Sequence, residues 1–309
     1  MRGFWLFLII GLLLIAGCNR GDSATGKAVQ ELEEVKEVQP QPIEEVKEKP
    51  EEVKPQVTTP AKPKPKEKQL EVHFIDVGYG DAILLKEENN VILVDCGRSD
   101  DIIYNYLKKL NVNDIDLLIV TVPTKEHVGG CDKVLKNFNV KKLLDNGRSP
   151  KTEVYEDYSE LIDEAGSYDV AHSGDEYTFG NANLNIVGSN NREEKDNSNV
   201  VVLKVSYNDI DFLLTSDCDE VCEKKLPIGI QAEIFKVANH GSLLSTSYDF
   251  VTRVSPKISV ITVDQDNQYS NPKQQVLDRL SGTTIYRNDI HGTIIVKTNG
   301  KTYSVDTEK

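Results

Sequence analysis

The folded part of this 309-residue sequence is predicted to be an α/β protein, a four-layer αββα sandwich of two sheets inside outer helices. Two observations predict it. Between residues 70 and 309, apolar runs typical of strands occur in two batches, and each batch is interleaved with segments of helical period. This stretch is also long enough to bury one large core.

The first batch opens with LEVHFIDVGYGDAILLKEENNVILVDCG, in which three apolar runs are separated by the turns Gly78-Tyr79-Gly80 and Glu88-Asn89-Asn90. The predicted strands are 70–76, 82–86, 91–95, 116–121 and 140–145, with shorter ones near 169–172, 176–178 and 183–187. Helices are predicted at 102–110 and 153–166.

A polar loop at 188–199 separates this batch from the second, which begins with a hairpin across Asn208-Asp209. Further strands are predicted at 232–239 and 257–263 and in the segments TIYR, GTIIVKT and KTYSVD. The predicted helices are 219–226, 248–254 and 272–280.

Residues 1–18 have the pattern of a lipoprotein-type signal peptide. Arg2 is followed by an apolar run and by Ile15-Ala16-Gly17-Cys18, in which small residues precede a cysteine. We expect lipidation of Cys18; the alternative is an uncleaved signal anchor. In both cases the protein is exported and held at a membrane, and with a lipid on Cys18 it lies at the outer face of the cytoplasmic membrane.

Residues 19–69 are predicted to form a disordered tether. They contain seven of the twelve prolines, eleven acidic and ten basic side chains, and no aromatic residue. Such a segment buries too little apolar surface to offset its ordering entropy. As a flexible coil it reaches on the order of 40 Å.

The 70–309 domain is acidic: 25 basic and 39 acidic residues give it a net charge of −14. This charge disfavours nucleic acid as a partner unless a local basic patch or a metal ion intervenes. Its four cysteines, Cys96, Cys131, Cys218 and Cys222, allow two disulfides in an exported chain. Buried thiols explain them equally well.

The stretch LIVTVPTKEHVGG, residues 118–130, is the centre of the functional prediction. A β-branched run breaks at Pro123 into a polar loop that carries Glu126 and His127 side by side. Loops at the ends of buried strands are where α/β folds place their chemistry. Carboxylate and imidazole together are able to hold a metal ion.

Several segments together resemble the metallo-β-lactamase-fold family, and most closely the extracellular domain of ComEC-type competence proteins. They are VHFIDVGYGDAILL, LLIVTVPTKEHVGG, DFLLTSD, VANHGS, the YSNP stretch and IYRNDIHGTIIV, in this order across residues 70–309. The resemblance implies a metallo-β-lactamase sandwich and a metal-dependent hydrolase of phosphodiesters, with a role in DNA uptake among the competence members.

The resemblance also implies where the metal ligands lie. The family loop, similar to H-x-[HD]-x-D-H, corresponds here to Val122, Thr124, Glu126 and His127, so the first ion's ligands are replaced. The second ion would keep four ligands, which are Glu126, His127, Asp217 and His240. Asp217 and His240 are also the expected catalytic residues. One zinc or manganese ion is expected, with no metal as the alternative.

Two hypotheses follow: a membrane-tethered, metal-dependent phosphodiesterase with a reduced, single-ion site, and a catalytically inactive module that binds a ligand or partner at the cell surface. For the second, the polar groups of Thr124, Asn239 and Asn271 are candidate ligand contacts. Asp76 and Asp81 are expected to fix the glycine turn. The remaining histidines, His73, His172 and His291, are expected to be structural or exposed.

Overall fold

A computed structural model describes residues 68–189 and 199–309 of the chain. The predicted signal peptide, the lipidation site Cys18, nearly all of the predicted tether and most of the polar loop lie outside these residues. Within the two described ranges, no helix is both long enough and apolar enough to cross a membrane.

The described residues form seventeen strands and eight α-helices. The strands are β1 Leu70–Phe74, β2 Ile83–Glu87, β3 Asn90–Val94, β4 Asp114–Ile115, β5 Leu117–Val120, β6 Asn139–Val140, β7 Leu143–Asp145, β8 Tyr168–Val170, β9 Glu176–Phe179, β10 Ala182–Gly188, β11 Val202–Tyr207, β12 Ile210–Leu214, β13 Ile234–Lys236, β14 Ile258–Ile261, β15 Thr284–Arg287, β16 Ile294–Thr298 and β17 Tyr303–Thr307. The helices are α1 Asp100–Lys109, α2 Lys125–Val128, α3 Cys131–Asn137, α4 Glu153–Ser159, α5 Glu220–Lys225, α6 Tyr248–Val254, α7 Gln274–Arg279 and α8 Asn288–His291. Two 3₁₀ helices cover Ile162–Glu164 and Ala238–Gly241.

The strands build two large sheets and a short third pair, β4 with β6. The first sheet has the order β17-β16-β1-β2-β3-β5-β7-β8, and the second β15-β14-β13-β12-β11-β10-β9. In the first sheet β3, β5, β7 and β8 run parallel, and in the second β12 to β15 do. The antiparallel hairpins lie at the other side of each sheet.

Three hydrophobic clusters show how the layers stack. One contains inward-facing residues of both sheets, such as Phe74 and Phe212, and therefore lies between them. A second joins the outer face of the first sheet to α1, α3 and α4 through residues such as Leu107 and Tyr158. The third joins the outer face of the second sheet to α5, α6 and α7 through Phe250 and its neighbours. The order is therefore helix, sheet, sheet, helix, which confirms the predicted αββα sandwich.

Each predicted element overlaps an observed one, and three differ clearly in extent; α2, α8 and β4 were not predicted. The strand predicted at 140–145 is split into β6 and β7, because residues 139–140 pair with β4 while 143–145 pair with β5. The helix predicted at 153–166 ends as an α-helix at Ser159 and continues as a 3₁₀ turn. The strand predicted at 232–239 stops at Lys236, and a 3₁₀ turn follows it.

The parallel strands matter most for function, because their carboxyl ends meet at one edge of the sandwich. Residues after β3 and β5 of the first sheet approach residues after β12, β13 and β14 of the second. Ligand sites in α/β proteins occur at the carboxyl ends of strands. Both sheets therefore contribute side chains to one location.

Candidate metal centre

Three metal-binding side chains meet at this edge. His127 lies in the short helix α2 after β5, Asp217 follows β12, and His240 lies in the 3₁₀ turn after β13. One ligand atom from each lies within 4.8 Å of the other two. One half of the chain thus supplies a histidine, and the other half supplies a histidine and a carboxylate.

The Asp217 carboxylate lies between the two imidazoles. Its Oδ2 is 3.3 Å from His127 Nε2, and its Oδ1 is 3.5 Å from His240 Nε2. The two Nε2 atoms and Oδ1 are buried and have no hydrogen-bond partner. Two ligands that are each ~2.1 Å from one tetrahedral ion lie roughly 3.4 Å apart. The spacing therefore suits a shared metal ion better than direct hydrogen bonds.

The other nitrogen of His127 is committed to a carboxylate. Its Nδ1 lies 2.8 Å from Oδ2 of Asp95, the residue that follows β3. Asp95 is held in turn by the backbone N–H of Thr121, at 2.7 Å, and by its hydroxyl, at 2.6 Å. Donation from Nδ1 to Asp95 leaves the lone pair on Nε2, which is the arrangement of metal-binding histidines.

His240 is oriented in a comparable way by a backbone carbonyl. Its Nδ1 lies 2.7 Å from the oxygen of Thr262, which follows β14. His240 and Asn239 have positive φ, 53° and 48°, a conformation that costs non-glycine residues free energy and persists where the surroundings enforce it. Gly241 continues the turn at φ 81°, and a Cβ there would lie 2.5 Å from Pro272. The tight turn therefore fixes the imidazole in place.

A buried ion pair lies behind the two histidines. The ammonium of Lys236, at the end of β13, contacts the carboxylate of Asp81, and both side chains are almost fully buried. Lys236 also donates to the backbone oxygen of Ser216 at 3.3 Å, and the Thr262 hydroxyl donates to Asp81. Asp81, Asp95 and His127 also come within 4.8 Å of one another. Their oxygens already have these partners, so we do not assign a second ion there.

The charges of the cluster favour a divalent cation. The carboxylates of Asp81, Asp95 and Asp217 oppose the single ammonium of Lys236, which leaves two negative charges uncompensated when both histidines are neutral. Uncompensated charge is costly in a buried site. One divalent cation would balance it, so the residues present fit a metal ion in both geometry and charge.

The pKa values of the three candidate ligands depend on burial and on the charges beside them. Burial acts to lower the pKa of His127, but the Asp217 and Asp95 carboxylates outweigh it and raise that pKa well above its usual value. Burial lowers the pKa of His240. For Asp217, burial opposes ionisation, but His127 and His240 hold its pKa below the usual range. The Asp217 carboxylate is therefore ionised, as a metal ligand must be.

A cavity of about 480 Å³ reaches two of the three ligand residues but not His127. Asp217 and His240 line it, and Tyr79, Tyr269 and Asn271 form another part of its wall. The remaining lining residues are Val122, Thr124, Glu126, Asn239, Ser242, Leu244 and Lys273. The cavity gives a small substrate or part of a larger one access to the candidate metal position.

Glu126, the fourth predicted ligand, lines this cavity but does not belong to the group of three. Its backbone is held by the glycine turn: its carbonyl oxygen accepts from Asp81 N–H at 3.0 Å, and a Cβ on Gly80 would lie 2.4 Å from that oxygen. The structure thus brings His127, Asp217 and His240 together and leaves Glu126 beside them. The metal-binding roles of all four residues, and the catalytic roles of Asp217 and His240, remain predictions.

The positions that lack a ligand are also in the cavity. Val122 is an almost fully buried aliphatic side chain, and the buried hydroxyl oxygen of Thr124 has no hydrogen-bond partner. Asn239 and Asn271 line the same space, and the Asn271 amide donates to the Tyr79 hydroxyl at 3.2 Å. This part of the cavity therefore presents neutral polar groups.

Several important residues were not singled out by the sequence. Asp81 was predicted to fix the glycine turn, but its side chain binds Lys236 and Thr262 instead. Asp76 does contact this turn, since its carboxylate accepts a hydrogen bond from the Gly78 N–H at 3.3 Å. Asp95, Lys236 and Thr262 each follow or end a strand of a parallel set. That position was the available signal, since residues at the carboxyl ends of neighbouring parallel strands lie together.

The other histidines have structural or exposed positions, as predicted. His73 is buried and its Nδ1 lies 2.8 Å from the Tyr106 hydroxyl. His172 is exposed, and His291 contacts the backbone of Arg287 at 3.0 Å.

Both pairs of cysteines form disulfides, Cys96 with Cys131 and Cys218 with Cys222. Both bonds adjoin the site. Cys96 follows Asp95 and its N–H donates to the His127 carbonyl at 2.7 Å, while Cys218 follows Asp217 directly. The disulfides, rather than free thiols, are therefore part of the framework that holds the ligand segments.

The αββα sandwich, with a ligand cluster at the shared edge of its two sheets, has the architecture of the metallo-β-lactamase fold. Its sequence is similar to those of competence proteins. It is 25% identical to ComE operon protein 3 of Bacillus subtilis over 256 residues, which cover 72% of this chain and 32% of the relative. It is also 25% identical to competence protein ComA of Neisseria gonorrhoeae over 240 residues, 74% of this chain and 32% of the relative.

The chain thus spans about a third of the length of these curated relatives. No family model matches it. Solved structures with a similar course of the chain include YhfI of Bacillus subtilis, a metallo-β-lactamase-fold protein, at 10% identity and a TM-score of 0.48, covering 70% of this chain and 95% of that one. A diphosphatase of the PhnP family is 11% identical with a TM-score of 0.48, covering 74% of this chain and 98% of that one.

Proposed function

We propose that this protein is a metal-dependent hydrolase of phosphodiesters that uses a single divalent ion, zinc or manganese, held by His127, Asp217 and His240. The observation that carries the proposal is the set of three buried, unpartnered ligand atoms at the spacing of a shared ion. Similarity to competence proteins supports a substrate related to DNA.

The residues around the ion would have separate roles in the reaction. When bound, the ion supplies Lewis acidity and lowers the pKa of water. Asp95 keeps the proton of His127 on Nδ1, and the Thr262 carbonyl does the same for His240. Glu126 lines the cavity beside the three ligands, where its carboxylate would serve as a proton acceptor.

We further propose that the protein acts outside the cell, anchored to the outer face of the cytoplasmic membrane by a lipid on Cys18. The two disulfides support this, because such bonds persist in oxidising compartments and are rare in the cytosol. Labelling of the expressed protein with a radioactive fatty acid, compared with a Cys18→Ala variant, tests the anchor; equal labelling of the two would refute it.

A second candidate function is a non-catalytic binding module, and one observation favours it. Val122 fills a position where a two-ion hydrolase would carry a ligand, so the clamp that two ions place on attacking and leaving oxygens is missing. A single-ion phosphodiesterase of this kind should be slow.

Metal content and hydrolysis of the purified full chain separate the two candidates. We expect one zinc or manganese ion per chain at micromolar concentration and hydrolysis of a generic phosphodiester that is lost in His240→Ala. His172→Ala removes an exposed histidine outside the site and is the matched control. Metal binding without a rate above that of His240→Ala would favour the binding module. Absence of bound metal would refute the proposed centre.

A further inference from the structure

The wall of the cavity contains a pair of aromatic rings that the proposed chemistry does not use. Tyr79, from the glycine turn, packs against His240 with ring centroids 4.4 Å apart. Tyr269, from the loop after β14, packs against Tyr79 at 5.1 Å with an interplanar angle of 36°. Tyr269 is therefore only one ring away from a predicted metal ligand.

The ring of Tyr79, which lies between His240 and Tyr269, is fixed in place. Tyr79 is almost fully buried, and its hydroxyl accepts a hydrogen bond from the Asn271 amide at 3.2 Å. Tyr79 is thus a rigid support on which a second ring can lie.

Tyr269 lies on a loop that is held by several hydrogen bonds, and its ring remains open to solvent. The side chain of Asn267 donates to the carbonyl oxygens of Asp264 and Asn271, at 2.6 and 2.8 Å, and accepts from the Asn271 backbone N–H at 2.9 Å. Lys273 donates to the Tyr269 carbonyl at 2.5 Å. Even so, Tyr269 is 47% exposed. An ordered aromatic ring with exposed surface at a cavity is pre-organised for stacking, because little freedom is lost when a planar group binds.

The net charge of the domain limits the chemical classes of ligand that the Tyr269 ring would bind. With a net charge of −14 over residues 70–309, the domain gains little from contacts to a phosphate backbone, and Lys273 is the only lysine or arginine among the described residues that line the cavity. When no ion is bound, affinity for a phosphodiester must therefore come largely from uncharged contacts. Base–aromatic stacking is such a contact, and it requires a base that is not stacked within a duplex.

We propose that Tyr269, supported by Tyr79, is a stacking platform for an unpaired nucleobase next to the scissile phosphodiester, which makes it a specificity-determining residue for single-stranded substrates. The inference rests on the proposed function for its substrate, and it adds the residue that would select single strands over duplexes. The stacking itself does not require the metal ion, so it is testable without one.

The test measures binding of the purified full chain in EDTA to a short fluorescent oligothymidylate and to an abasic phosphodiester of equal length. Tyr269→Ala should weaken oligothymidylate binding roughly tenfold, since a stacked base contributes about that much. Tyr269→Phe keeps the ring and should bind like the wild type. Tyr248→Ala removes a more exposed tyrosine that does not line the cavity, and it is the matched control. The abasic probe should bind the wild type and Tyr269→Ala equally weakly.

The salt dependence is a second readout. Because Tyr269→Ala changes no charge, the slope of affinity against salt concentration should be the same as in the wild type. If Tyr269→Ala bound oligothymidylate as tightly as the wild type, the inference would be wrong; this is the result expected if the exposed ring binds a protein partner instead. The inference would also be wrong if Tyr269→Phe lost as much affinity as Tyr269→Ala. Since EDTA is present, failure of the metal-dependent hydrolysis would leave this outcome unaffected, and the two proposals fail separately.

Discussion

Replacing Asp95 with asparagine tests the candidate metal centre without touching a ligand. The carboxylate of Asp95 is buried and makes three hydrogen bonds, two to Thr121 and one to Nδ1 of His127. Asparagine has the same shape and retains an oxygen for Thr121. Its amide nitrogen, however, is a donor where His127 needs an acceptor, so the proton of the imidazole is expected to move to Nε2, the atom that faces the ion.

The expected loss can be worked out from this one contact. A hydrogen bond to a charged group is worth roughly 1.5–3 kcal/mol, and each 1.4 kcal/mol corresponds to about a factor of ten. Asp95→Asn should therefore weaken zinc binding about 10- to 100-fold, as is usual for partners of metal-binding histidines. Competition with a chromophoric chelator measures this affinity, and circular dichroism checks that the variant is folded.

Asp145→Asn provides the matched control. Asp145 is also a buried carboxylate at the end of a parallel strand, and it accepts from the Gly147 N–H and from the hydroxyls of Tyr158 and Tyr168, but it contacts no histidine. The same substitution there should leave zinc affinity unchanged. If Asp95→Asn bound zinc as tightly as the wild type, or if Asp145→Asn weakened binding as much, the assignment of His127 Nε2 as a ligand would be wrong.

Three further predictions concern other parts of the same region. Glu126→Ala should leave the metal stoichiometry unchanged and weaken zinc affinity less than tenfold in the chelator assay, because its carboxylate lies outside the ligand group; a loss of the ion would instead make it a ligand. Lys236→Met should lower the free energy of unfolding by about 3–5 kcal/mol in urea titrations, since Asp81 is then buried and unpaired, and adding Asp81→Asn should recover part of that loss; a neutral effect would contradict the buried ion pair. Removing the disulfide between Cys96 and Cys131, whose partners are 35 residues apart, should cost about 2 kcal/mol more than removing the other, whose partners are four apart; equal losses would show that loop closure is not the main contribution.

The fold could be predicted from the sequence because its strands are strongly patterned. Residues 91–94 of β3 and all of β5 are apolar, as parallel strands covered on both faces must be. The split at residues 140–143 could not be predicted, because it depends on pairing with β4, far away in sequence. The apolar pattern of a segment shows that it is a strand, but it does not show which other strand it pairs with.

Of the candidate site, the sequence could locate only the three candidate ligands that the structure brings together. His127, Asp217 and His240 stand in recognisable motifs, so the resemblance located them. Asp95 and Lys236 act through a histidine and a carboxylate that the three-dimensional fold brings to them, and no local pattern marks them. The position of Glu126 outside the group depends on how the glycine turn holds its backbone, which is again a tertiary property.

The origin of the ligands in two different sheets has a consequence for the dynamics of the protein. An ion bound by His127 from the first half and by Asp217 and His240 from the second would be released by any opening that separates the sheets. Metal binding would then suppress that opening in both halves at once. Amide protons of β5 and of β13 would gain the same degree of protection against hydrogen exchange, although they belong to separate hydrogen-bonded networks.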